Sequence, residues 1–228
     1  AFQKLFVQLV RIACEAGLVK LGTLAIDGTK VKANASKHKA MSYKRLLQEE
    51  RRLSEQIADL TSRAEALDAS EDAAFGPEVR GDELPAELQR REQRLAKIRE
   101  AKQRLEARQA EHDKAKGRSP DDDRQSPRGG RRFKRDFGVP KDKAQDNFTD
   151  PQSRIMKTTN GYDQCYNGQI AVDEGSELII ATGLTSNAAD NGELIPLLEQ
   201  VRSNLGGNPG QILADAGYRS ESNFEKLE

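Results

Sequence analysis

Apolar residues recur at helical spacing near the start of the chain, where Phe2, Leu5, Phe6, Leu9, Val10, Ala13 and Ala16 share one face and Gly17 supplies a stop. The period then shortens. Residues 23–26 read as a strand, and residues 29–33 either continue it or return it through Asp27-Gly28, a dipeptide suited to a type I′ hairpin turn. From about Met41 the period lengthens again, with Leu46, Leu53, Leu60 and Leu67 at seven-residue intervals and Ile57 between them. A polar break with Gly76, Pro77 and Gly81 precedes a second run carrying Leu88, Leu95, Ile98 and Leu105. Two helical runs of similar length joined by one loop predict an antiparallel helical hairpin, and the leucine rows are its packing faces.

Residues 111–152 hold few apolar side chains and include Pro120, Pro127, Gly129, Gly130 and Pro140. A stretch so long and polar predicts a linker that is partly disordered or orders on a partner. Regular patterning resumes near Ile155. Residues 169–173, a turn at Glu174-Gly175-Ser176 and residues 178–182 predict a β-hairpin whose second strand extends to Thr185. Leu194, Leu197, Leu198, Val201 and Leu205 then form a helical stripe closed by Gly206 and Gly207. Asp190 and Glu193 have the spacing of a capping box, although Pro196 argues for a later helix start. Residues 211–214 predict a strand that delivers Asp215, and Ser220 caps a last helix.

Composition narrows this picture. Of 228 residues, 32% are charged and 36% hydrophobic, with no Trp, so the core is confined to a subset of segments. The formal net charge is zero, which removes any global electrostatic argument for nucleic acid and makes a basic site a local matter. One local concentration stands out: Arg128, Arg131, Arg132, Lys134 and Arg135 surround Phe133, a pattern that fits either a solvated linker or a nucleic-acid contact. Asp121, Asp122 and Asp123 cancel part of its field. Cys14 and Cys165 lie in apolar contexts without metal-ligand spacing and read as buried thiols of a reduced, intracellular protein. Lys4, Arg11, Glu15 and Lys20 interrupt the first apolar segment and exclude a signal sequence or membrane span there. The chain opens on Ala inside one helical pattern and closes inside another, which predicts a fragment truncated at both ends.

The candidate chemistry lies in two aspartates. Asp27, in Leu24-Ala-Ile-Asp-Gly-Thr, and Asp215, in Ile212-Leu-Ala-Asp-Ala-Gly-Tyr, each end a short apolar run and meet a glycine within two residues. A buried strand that stops at an acid holds a carboxylate rigidly at a sheet edge, within reach of a metal ion and a phosphate. For Asp27 the turn reading stands beside this one. For Asp215, Ser220 is the better cap of the following helix, which leaves the carboxylate free.

These two segments, with Tyr166-Asn-Gly-Gln-Ile-Ala-Val-Asp173, Asn187-Ala-Ala-Asp-Asn191 and Asn147-Phe-Thr-Asp-Pro-Gln-Ser-Arg-Ile-Met-Lys157, resemble bacterial insertion-sequence transposases of the DDE type. The resemblance implies an α/β, ribonuclease H-like mixed sheet with flanking helices, interrupted by the inserted antiparallel helical hairpin and polar linker. It divides the chain into the end of an N-terminal helical region (1–21), a first part of the core (22–36), the insertion (37–153) and a second, incomplete part of the core (154–228). It further implies catalytic, metal-binding roles for Asp27 and Asp215 on the first and fourth strands, and Mg²⁺ or Mn²⁺ as two ions in the complete site. A third acid is expected beyond Glu228. Double-stranded DNA, as transposon ends and target, is the implied partner, with a homo-oligomer on DNA, no membrane, and a cytoplasmic, nucleoid-associated setting. Lys30, Lys32 and Arg219 flank the aspartates and join the Arg128 to Arg135 cations as candidate phosphate contacts. The competing readings are a noncatalytic DNA-binding or coiled-coil interaction protein, and an inactive remnant.

Overall fold

A computed structural model describes residues 2–75, 86–121 and 133–227, with side chains over 2–66, 88–121 and 133–227. The chain forms two compact units, one of residues 1–37 with 152–228 and one of residues 38–151.

The first unit is a mixed α/β structure around a sheet. Helix α1 (Phe2–Glu15) ends before Gly17, whose φ of 72° is the left-handed conformation that lets the chain leave a helix. Strand β1 (Thr23–Lys32) then runs without interruption through Asp27 and Gly28, so the hairpin-turn reading of that dipeptide is incorrect. Ten consecutive residues stay extended because β1 is paired along both its edges. On one side it is antiparallel to β5 (Gly161–Asp173), from Leu24 opposite Asp173 to Lys32 opposite Cys165. On the other it is parallel to β7 (Gln211–Ala214), with Ile26 opposite Ala214 as the last pair. The far edge of β5 carries β4 (Arg154–Thr158) along its first half and β6 (Leu178–Thr185) along its second, with a bulge at Ala171/Val172. Strand β5 is longer than its apolar pattern indicates, and β4 escapes that pattern altogether.

One face of this sheet holds the core. Leu24 and Ile26 pack with Ala171, Ile180 and Ala181 against Leu194, Leu197, Leu198 and Val201 of α4 (Leu194–Leu205) and Val10 of α1. Only part of the α1 stripe is covered: Val10 is buried, while Phe2, Leu5 and Leu9 are exposed. Arg11 Nε donates to the Asn204 carbonyl at 3.1 Å, and Asn204 Nδ2 donates to the Ile180 carbonyl at 2.8 Å, which ties α1, α4 and β6 together. Gly206 closes α4 at φ 72°, its N–H donating to the Arg202 carbonyl. Helix α5 (Glu221–Leu227) follows, and the Asn223 N–H donates to Ser220 Oγ as expected of a cap.

In the second unit, β2 (Ala40–Ser42) leads into α2 (Tyr43–Phe75), which packs against α3 (Ala86–Ala115). Leu46, Leu53, Leu95, Ile98, Ala101 and Leu105 are buried between the helices, as the seven-residue recurrence predicts. Leu67 lies outside the residues whose side chains are described. Residues 122–132 of the linker lie outside the described residues, and the parts on either side are more ordered than their composition suggests. Residues 111–115 belong to α3, and β3 (Gln145–Asn147) pairs antiparallel with β2. Asp146, fully buried, fixes this ribbon to α3 by accepting from Arg104 Nη2 at 2.7 Å and Arg108 Nη2 at 2.5 Å. Among the described residues no helix is long and apolar enough to cross a membrane.

Candidate functional site

The parallel register of β1 and β7 brings the two aspartates together. Ile26 pairs with Ala214, and Asp27 and Asp215 are the next residues on the two strands. Neighbouring strands run about 4.8 Å apart, so the two residues follow on adjacent strands although 188 positions separate them in sequence. Strand alternation sets Asp27 opposite Ile170, on the face away from Leu24 and Ile26. Both aspartates are exposed; β7 is short and its residues are at most half-buried. Neither carboxylate is wholly free. Asp27 Oδ1 accepts from the Gly28 N–H at 2.7 Å, and Asp215 Oδ1 accepts from the Gly217 N–H at 2.8 Å as the cap of the short 3₁₀ helix Ala216–Tyr218. Ser220 caps α5, but Asp215 caps the turn before it.

A third carboxylate, which the sequence reading assigns to a helix cap, belongs to this neighbourhood. Asp190 does not cap α4, whose N-cap is Glu193 with no side-chain capping bond. Its Oδ1 instead accepts from Asn167 Nδ2 at 2.6 Å, Gln169 Nε2 at 2.9 Å and Lys30 Nζ at 3.4 Å. Burial alone raises the Asp190 pKa, but the hydrogen bonds of Asn167 and Gln169 and the charge of Lys30 outweigh it and hold the carboxyl below its usual range. Gln169 also accepts, through Oε1, from the buried Tyr218 hydroxyl. Burial pushes that phenol well above its ordinary pKa, and the negative charges of Asp190, Asp27 and Asp215 add to the effect, in that order. The same hydroxyl thus senses all three acids. Turning its amide hydrogens toward Asp190 leaves the Asn167 Oδ1 buried without a partner.

Two glycines let these groups approach. A Cβ at Gly28 would sit 2.6 Å from Gln169 Nε2, 2.9 Å from Asp190 Oδ1 and 3.2 Å from the Tyr218 hydroxyl. At Gly217 it would sit 2.9 Å from Asp215 Oδ1 and 3.6 Å from Asp190 Oδ2. Asp190 therefore braces the strand next to Asp27 and faces the turn that holds Asp215.

The flanking cations have separate fates. Lys30 is held by Asp190, Lys32 is largely exposed at 3.7 Å from Asp163, and Arg219 is exposed. In the basic run, Arg128, Arg131 and Arg132 lie outside the described residues. Lys134 is exposed, and Arg135 Nε donates to the Val139 carbonyl at 3.1 Å. The Phe133 ring is not open for stacking on that face, because the Arg118 guanidinium lies 4.2 Å from its centroid while pairing with buried Asp113.

Among the described residues no three His, Cys, Asp or Glu side chains gather closely enough to form a metal cluster. The chemistry of the donor pair nevertheless fits a hard divalent ion: Asp27 and Asp215 present exposed anionic oxygens with no ion pair among the described residues. Residues 132–228 match the family model described as the transposase DDE domain, a span that takes in Asn167, Gln169, Asp190, Asp215 and Tyr218 but not Asp27 or Lys30. No curated protein and no solved structure matches the chain.

Proposed function

We propose, from the match of residues 132–228 to the transposase DDE domain, that the chain is a DDE-type transposase and that Asp27 and Asp215 are the first two acids of its metal-dependent site. The observation that carries this reading is the parallel register, which makes residues far apart in sequence neighbours at one sheet position. The strand order β6-β5-β1-β7, antiparallel across its first three members and parallel at the last, supports a ribonuclease H-like sheet with acids on its first and fourth strands. The activity is cutting DNA at transposon ends and joining the 3′ hydroxyl to target DNA.

Asp27 and Asp215 would hold Mg²⁺ or Mn²⁺, which prefer oxygen ligands and keep several waters. Bound there, such ions supply Lewis acidity and an activated hydroxyl for in-line displacement at a phosphodiester. The protein's own contribution is position. Paired strands fix the backbone beneath both carboxylates, the Gly217 N–H orients Asp215, and the Asp190 network holds Gly28, Gln169 and Tyr218 in one arrangement. Asp190 is committed through Oδ1 to three donors and serves as a brace, and the complete site calls for a further acid. Exposed Lys32 and Arg219 are available to phosphates. A noncatalytic scaffold is not favoured, because the matched domain includes the strand that delivers Asp215.

Strand cleavage by the transposase tests the assignment. Asp27→Ala and Asp215→Ala each abolish cleavage and leave DNA binding in place; cleavage at the wild-type rate by either variant overturns it.

A further inference from the structure

The helical unit has a feature that the carboxylates do not use. Arg90, Arg94 and Lys97 line a cavity of about 340 Å³ together with Gln93, Met41, Ile98 and Phe148. The three cations are exposed, Ile98 is buried, and Met41 and Phe148 are half-buried, so an apolar floor lies beneath a positive rim. Their spacing of four and then three residues places all three cations on one side of α3.

Among the described residues the rim is unneutralised. Residues 88–108 carry eight cations against three acids, which the zero net charge of the whole chain conceals. Arg99 and Lys102 are paired with Glu50, and Arg104 and Arg108 with Asp146. Arg90, Arg94 and Lys97 have no hydrogen bond or ion pair among the described residues; Arg94 acts on Glu49 only at longer range.

A ligand suited to this surface carries repeated negative charge and a flat apolar face. An acidic peptide has the first without the second. Duplex DNA has both but keeps its bases stacked and paired. Single-stranded DNA presents phosphates to cations while its bases stack on exposed rings. We propose that this cavity binds single-stranded DNA, with a base against Phe148 and Met41 and adjacent phosphates on Arg90, Arg94 and Lys97. The choice of DNA rests on the transposase reading, whereas the cavity itself involves neither Asp27 nor Asp215.

Fluorescence anisotropy with a labelled oligothymidylate and a duplex of equal length, run across a salt series in EDTA, tests the proposal. The wild-type chain binds the single strand more tightly than the duplex. Arg94→Ala/Lys97→Ala lowers the log-log salt slope by about 1.4, since each lost single-strand phosphate contact removes about 0.7. Phe148→Leu weakens single-strand binding about 5- to 150-fold, the range for losing one aromatic stack. Unchanged affinity and slope in the Arg94/Lys97 double variant overturn the proposal, and so does displacement of the oligonucleotide by a polyglutamate peptide of equal charge as readily as by unlabelled oligonucleotide. Alanine suits a helix, so the double variant decides the matter even if circular dichroism shows that Phe148→Leu unfolds the unit. Without divalent metal the result is independent of the carboxylates: failure here leaves the cleavage reading intact, and failure of cleavage leaves this binding result standing.

Discussion

Gly28→Ala adds one methyl group where a Cβ meets three polar side-chain atoms. The new carbon would lie 2.6 Å from Gln169 Nε2 and 2.9 Å from Asp190 Oδ1, both closer than a Cβ tolerates. The end of a flexible side chain often yields cheaply, but Gln169 is buried and bonded to both Asp190 and Tyr218. Displacing it breaks a hydrogen bond to a charged group and leaves buried polar atoms unpaired. Overpacking and a lost buried bond together cost about 2–4 kcal/mol. Urea unfolding followed by tyrosine circular dichroism measures this, with Gly22→Ala as control because nothing lies within 4 Å of a Cβ there. The control changes stability by less than about 1 kcal/mol. Shortening the obstructing side chain in Gly28→Ala/Gln169→Ala relieves the closest clash, so the two changes couple by more than about 1 kcal/mol. A Gly28→Ala protein within about 0.5 kcal/mol of wild type would refute the packing argument.

Asp190→Ala removes the acceptor shared by Asn167, Gln169 and Lys30 and destabilises the first unit by about 2–4 kcal/mol in chemical denaturation, reflecting two buried donors left without a partner. Because folding depresses the Asp190 pKa, its contribution is present above the ordinary aspartate value near 3.9 and is lost as pH falls through the folded value; Asp190→Asn flattens that acid limb. Burial, with the hydrogen bond to Glu106 next, pushes Tyr43 up to about 12, so the helical unit loses on the order of 2 kcal/mol as pH rises from about 10 to 12, and Glu106→Gln lessens the loss. Asp146→Ala strands Arg104 and Arg108, both about a third exposed, and costs about 2–4 kcal/mol, read as an earlier helical melting transition.

What was legible in the sequence is what local periodicity encodes. The leucine rows predict the helical hairpin because a buried stripe must recur with the helix, and Leu46, Leu53, Leu88, Leu95, Ile98 and Leu105 are all buried. The strands ending on the aspartates are legible for the same reason, but their adjacency comes from β1 pairing with β7. Asp27-Gly28 has turn propensity by itself, and pairing with β5 overrides it. Asp190 is misread because its spacing to Glu193 is local, whereas its partners lie on β1 and β5, at sequence separations of 160, 23 and 21. Strand β3 and the Arg118–Phe133 contact escape notice because their polar segments are ordered by the buried acids Asp146 and Asp113. The α3 cations that lack a partner among the described residues are hidden by acids that balance them only in the sum over the chain.

Calorimetric titration of Mn²⁺ into the chain tests most directly whether the two strand aspartates form one metal site. Wild type binds saturably, and Asp27→Asn and Asp215→Asn each remove that binding, since either change takes away half of the charged donor pair. Binding to wild type that persists undiminished in both variants, or no binding at all, would contradict it.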